Sequence, residues 1–121
     1  MVVMEVDMLA IGVHPDDIEL CAAGTLLRHI DRGYNVGILD LTQGELGTRG
    51  TAETRSLEAQ RSAQIGGVQL RANVGLADGF FNHDDQHARA IIPYIRKYRP
   101  KVVLINARWD RHPDHARASG L

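Results

Sequence analysis

Cysteine occurs once, at Cys21, in a chain of 121 residues. One thiol cannot close an internal disulfide, so this is no disulfide-stapled scaffold, and a reducing compartment is the simplest setting. Aromatic residues are scarce, at 5%. Neither sign of charge dominates: 14 Lys and Arg against 15 Asp and Glu leave a formal charge of −1. Nucleic acid and anionic membranes usually need a basic patch, and none stands out. No apolar run approaches the ~20 residues of a membrane span. Residues 1–13 are apolar but include Glu5 and Asp7, with no basic start and no small-residue cleavage site. They are therefore not read as a signal peptide, and a cytoplasmic location is expected.

What is present suits one domain. The chain is 44% apolar and 24% charged, and domains commonly run ~100–150 residues. Residues 6–13 form a nearly continuous apolar run, as for a strand buried on both faces. Residues 16–32 place Ile18, Cys21, Ala22, Thr25, Leu26 and His29 near helical spacing, which makes Cys21 a small core residue. Gly33 ends that helix. Strands are expected over 35–41, 69–74 and 101–106, and helices over 51–65 and 84–98. Pro93 should kink the third helix, Pro100 stops it, and Pro113 opens a fourth.

Alternating short apolar strands and helices predict an α/β fold of Rossmann-like, three-layer αβα type, with a mainly parallel sheet. Right-handed crossovers restrict the topology, and the strand order 3-2-1-4 is expected. Residues 1–121 then make a single domain, apparently lacking its C-terminal part. Its fourth strand lies at an edge, to be covered by further chain or by another subunit.

Ligands of open α/β sheets bind beyond the carboxyl ends of the strands, at the switch point, here between strands 1 and 4. The first strand ends in His14-Pro-Asp-Asp17, and the fourth is followed by His112-Pro-Asp-His115. Topology should bring these clusters together. A catalytic zinc takes three N or O ligands and keeps a position for water. His14, Asp17 and His115 supply such a set. Asp16 is then available as general base, and His112 to meet developing charge or protonate a leaving group. The structural alternative is that Asp16 or Asp17 merely caps a helix. A dinucleotide site is disfavoured, because this turn has no glycine and carries Asp16, Asp17 and Glu19, which would repel a pyrophosphate. His83, Asp84, Asp85 and His87 form a second candidate cluster, read as the opening of the third helix. After strand 2, in the first turns of the second helix, Arg55 is suited by residue type to grip a carboxylate, as is Arg111 on the loop after strand 4. The segment from Thr51 to Thr54 has the simpler role of capping the second helix.

Three motifs carry a family resemblance: Ala10-Ile-Gly-Val-His-Pro-Asp-Asp17, Leu41-Thr-Gln-Gly-Glu-Leu-Gly-Thr-Arg-Gly-Thr51 and Asp110-Arg-His-Pro-Asp-His115. Together they resemble the LmbE/PIG-L-like zinc-dependent N-acetylglucosamine deacetylases. With Leu76-Ala-Asp-Gly79, they look most like the bacillithiol-pathway members, which remove acetyl from N-acetylglucosaminyl L-malate. The resemblance implies that His14, Asp17 and His115 hold Zn2+, with Fe2+ an alternative. It implies Asp16 as base, His112 as oxyanion or leaving-group partner, Asp114 as its orienter, and Arg55 and Arg111 as malate contacts. The implied partner is a small N-acetylated amino sugar. Members commonly form trimers or hexamers, so a homo-oligomer is expected. Members are also longer, which keeps open a metal-binding module without activity. Another glucosamine conjugate, of mycothiol or chitooligosaccharide type, is the alternative substrate.

Overall fold

The computed structural model describes residues 5–48, 50–79, 81, 85–107 and 112–121. Within them run β1 (Met8–Gly12), α1 (Asp17–Asp31), β2 (Val36–Thr42), α2 (Ala52–Gly66), β3 (Leu70–Leu76), α3 (Asp85–Tyr98), β4 (Val102–Leu104) and α4 (Pro113–Gly120). The strands form one parallel sheet in the order β3-β2-β1-β4. The fold is the one that the alternation of strands and helices predicts.

Every residue of β1 and β2 is buried, because helices cover both faces of these central strands. Side chains alternate between the faces with the period of two that a strand imposes. Leu9, Ile11, Leu39 and Leu41 pack with Phe81 and with Ile91 and Tyr98 of α3. Met8, Ala10, Val36 and Ile38 pack with Ile18 and Leu26 of α1. Each such fully buried aliphatic side chain contributes roughly 1.5–3 kcal/mol.

Local signals set the element ends. The Thr51 hydroxyl accepts the Thr54 N–H at 3.1 Å and caps α2. Gly67, at φ 75°, ends the same helix in the left-handed conformation that glycine adopts without strain. α3 runs through Pro93 as one element and stops at Tyr98, two residues before Pro100. Pro113 occupies the first turn of α4.

Two expectations need correction. Cys21 is exposed rather than in the core: α1 buries Asp17, Ile18 and Leu26, and Cys21 lies off that stripe. β4 is shorter than the apolar run that encodes it, and Val102 and Val103 are 47% and 41% exposed. It pairs only with β1 among the described residues, so one flank has no neighbouring strand. Among the described residues, no helix is long and apolar enough to cross a membrane.

Candidate functional site

The carboxyl end of β1 leads into a tight turn that starts α1. The Asp16 and Asp17 N–H groups both donate to the His14 carbonyl, at 2.8 and 3.1 Å. Asp17 Oδ2 accepts the N–H groups of Val13 and His14 at 3.1 and 3.0 Å, which fixes its carboxylate beneath the turn. Asp16 stands at the N-cap position yet makes no capping hydrogen bond. Its side chain is 56% exposed, and one oxygen lies 3.4 Å from Arg55 Nη2. The capping alternative is thus not how the Asp16 carboxylate is used.

The second motif arrives from the N-terminus of α4. His112 is the N-cap, and its Nδ1 accepts the Asp114 N–H at 3.2 Å. The proton of a neutral His112 ring therefore sits on Nε2. One turn on, His115 Nε2 is 3.1 Å from Asp17 Oδ2. His14 Nδ1 is 3.7 Å from the same oxygen. One ligand atom each from His14, Asp17 and His115 lies within 4.8 Å of the others. Ligands ~2.0–2.2 Å from a tetrahedral ion stand roughly 3.3–3.5 Å apart, so these spacings and this His₂Asp donor set fit a divalent metal of zinc type. His14, His112 and Asp114 also come within that range. The Asp114 oxygens, however, accept Gly79 N–H at 2.8 Å and Arg117 Nη1 at 3.0 Å. The first group is the better candidate.

His14 also shows why its Nδ1 is the nitrogen available to a metal. Its Nε2 is bonded to Asp78 Oδ1 at 2.8 Å. A carboxylate on the far nitrogen fixes the tautomer and orientation of a ligating imidazole. The Asp17 carboxylate, joined by Asp78, lifts His14 to about 9 against the opposing effect of burial. Burial alone would raise Asp17. The His14 side chain and N–H and the charge of His115 outweigh it and hold Asp17 below the usual carboxylate range.

The sequence reading assigns Asp78 no role at the site beyond its place in Leu76-Ala-Asp-Gly79, a stretch that carries the resemblance. Asp78 is 5% exposed, and its Oδ2 also accepts the Leu46 N–H at 2.9 Å. Its own N–H donates to Glu45 at 3.1 Å. The turn at Asp78 therefore ties the His14-Pro-Asp-Asp17 motif to the glycine-rich loop. That loop is shaped around Arg55, whose Nη1 donates to the Gly44 carbonyl at 3.0 Å. At Gly44, which has φ +66°, an added methyl would overlap the guanidinium.

His14, Asp16, Asp17, Arg55, His112 and His115 all border one open cleft of about 410 Å³. Asp114 lies beneath it, 1% exposed. It meets the His112 ring through its N–H, while its carboxylate holds Gly79 and Arg117. Arg111, His83 and Asp84 lie outside the described residues. His29 is an ordinary helix residue, with its Nδ1 bonded to the Thr25 carbonyl at 2.7 Å.

The fold has known counterparts. A solved structure from Thermus thermophilus, the conserved protein TT1542, superposes with a TM-score of 0.89 at 41% identity, over 94% of this chain and 52% of that one. The diacetylchitobiose deacetylase of Thermococcus kodakarensis is 34% identical over 94% of this chain and 46% of its own length. A probable N-acetyl-alpha-D-glucosaminyl L-malate deacetylase 2 of Bacillus anthracis is 28% identical over 89% of this chain and 54% of its own. The chain thus spans about half the length of the curated relatives it matches. The family model described as PIG-L, GlcNAc-PI de-N-acetylase, matches residues 9–121, and the chain belongs to this PIG-L family of de-N-acetylases.

Proposed function

We propose that this protein is a metal-dependent hydrolase that removes acetyl from an N-acetylglucosamine conjugate, with N-acetylglucosaminyl L-malate of bacillithiol biosynthesis as the substrate. The observation that carries this reading is the approach of His14, Asp17 and His115 to within 4.8 Å of one another, from opposite ends of the sequence. Those three residues would hold the ion, Zn2+ by preference, with Fe2+ compatible with the same donors. When bound, such a cation supplies Lewis acidity, polarising a carbonyl and acidifying water.

The remaining chemistry belongs to the chain. Asp16, exposed at the lip and making no capping bond, takes the proton of the attacking water on its carboxylate. His112 donates a hydrogen bond from its Nε2 N–H to the oxyanion, and the proton held by Asp16 passes to the leaving amine as the C–N bond breaks. One such donor is worth of order 3 kcal/mol in the transition state. Asp114 fixes the His112 ring through its N–H. Arg55 and Arg111 are assigned to the malate carboxylates. A cytoplasmic, homo-oligomeric enzyme completes the reading.

One observation favours a second aglycone. The Arg55 guanidinium already serves Gly44 and Asp16, which leaves it less free to grip a carboxylate. A sugar aglycone, as in the diacetylchitobiose named for one relative, needs no such grip. Acetate release with added zinc from N-acetylglucosaminyl malate, its inositol conjugate and diacetylchitobiose tests both. Fastest turnover of the malate conjugate supports the first reading, and fastest turnover of diacetylchitobiose the second. No release from any of them, with metal bound, leaves a binding module.

A further inference from the structure

Beneath the turn that carries His14, Asp16 and Asp17 lies a buried charge cluster that the hydrolytic reading does not use. Arg71 of β3 is 1% exposed at its side chain, and Asp40 of β2 is 3% exposed. Arg71 Nε and Nη2 donate to the two Asp40 oxygens at 2.9 and 3.0 Å. Nη1 donates to Glu19 of α1 at 2.8 Å. Nη2 also reaches the Pro15 carbonyl, at 3.2 Å.

That last contact falls where the backbone has nothing to offer. The Val13 carbonyl is taken by the Thr42 N–H, the His14 carbonyl by the turn itself, and the Asp16 carbonyl by Leu20 N–H as the first bond of α1. A residue before the N-cap lies outside the helical ladder, so the Pro15 carbonyl needs an outside donor. The peptide it belongs to joins the His14 side of the turn to the Asp16-Asp17 side. A guanidinium can hold two carboxylate oxygens, a second carboxylate and this carbonyl at once, because its five N–H groups form a rigid fork.

We propose that Arg71, held in place by Asp40 and Glu19, is a positioning residue that clamps the metal-binding turn through the Pro15 carbonyl and so sets the spacing of His14 and Asp17. The clamp reaches the turn from β3, on the helix α1 side of the sheet. Its effect on metal affinity rests on the metal reading above; its effect on the turn does not.

The test uses Arg71→Lys and Arg71→Met in the full chain. Lysine keeps the buried positive charge but lacks the fork, so it pairs with a carboxylate and releases the carbonyl. Zn2+ affinity is measured by competition with a chromophoric chelator, and amide hydrogen exchange is followed in the metal-free protein. In Arg71→Lys, exchange of the Asp16 and Asp17 N–H groups should quicken about tenfold while Ile38 and Leu39 are unchanged. Zn2+ affinity should fall about tenfold or more, as when the support of a ligand is lost. A variant that melts earlier but keeps the parent's exchange at 16 and 17 and its Zn2+ affinity overturns the clamp. If Arg71→Met fails to fold, the lysine variant alone decides. A parent protein that binds no Zn2+ refutes the metal reading only, and the exchange measurement still decides the clamp.

Discussion

Replacing Asp78 by Asn probes the support of the proposed metal ligand with almost no change in volume. Both Asp78 oxygens are in use, Oδ1 with His14 Nε2 at 2.8 Å and Oδ2 with Leu46 N–H at 2.9 Å, in a side chain 6% exposed. An amide offers one oxygen in place of two. If that oxygen stays with Leu46, the NH₂ faces His14 Nε2. The imidazole must then accept there and carry its proton on Nδ1, the nitrogen 3.7 Å from Asp17. A protonated nitrogen cannot ligate. If the amide turns over, its NH₂ meets the Leu46 N–H and leaves a buried donor unsatisfied, at a cost of roughly 1–3 kcal/mol. The first arrangement should weaken Zn2+ binding by about 10–100-fold, or ~1.4–2.7 kcal/mol; the second keeps Nδ1 free and shows instead as lost stability of the metal-free variant. Chelator competition at pH 7.5 measures the first, and thermal unfolding of the metal-free variant the second. A Zn2+ affinity within about twofold of the parent's together with unchanged thermal stability would refute the orienting role of Asp78.

Three further outcomes are expected. Asp16→Asn should retain metal, because Asp16 belongs to neither ligand group, and lose about 10²–10⁴-fold in acetate release; unchanged turnover would rule Asp16 out as the base. His115→Ala should lose bound metal by elemental analysis, since it removes one of three converging donors; full metal content would remove His115 from the ligand set. Burial, opposed by Arg71, pushes Asp40 up to about 6 from 3.8. The folded state therefore holds that proton more tightly, and Asp40 lowers stability as pH rises from about 4 through 6, by ~3 kcal/mol in all. Denaturant titrations of parent and Asp40→Asn, metal-free between about pH 4 and 7.5, should differ along that slope, whereas a difference flat with pH would contradict the assignment. The raised His14 supplies stability that is present below about 6.5 and lost towards 9. That contribution is common to both proteins and drops out of the comparison.

The strands, their order and the meeting of two distant motifs were legible in the amino-acid sequence because their causes are local or topological. Apolar runs of 6–13 and 35–41 mark strands that have no exposed face. Gly67, Thr51, Pro100 and Pro113 act on the backbone within a residue or two of where they stand. Right-handed crossovers restrict a parallel sheet to few orders, and in the expected order 3-2-1-4 the ends of β1 and β4 are neighbours, so His14 and His115 follow them. What tertiary structure alone decided are the polar pairings across the sheet. Asp78 on His14, Arg71 on Asp40, Glu19 and Pro15, and Arg55 on Gly44 join residues 11 to 64 positions apart. Such pairs depend on strand register and on the direction of individual side chains. The exposure of Cys21 had the same origin, since helical spacing gives a residue's angular place but not the width of the stripe that the neighbouring sheet will cover.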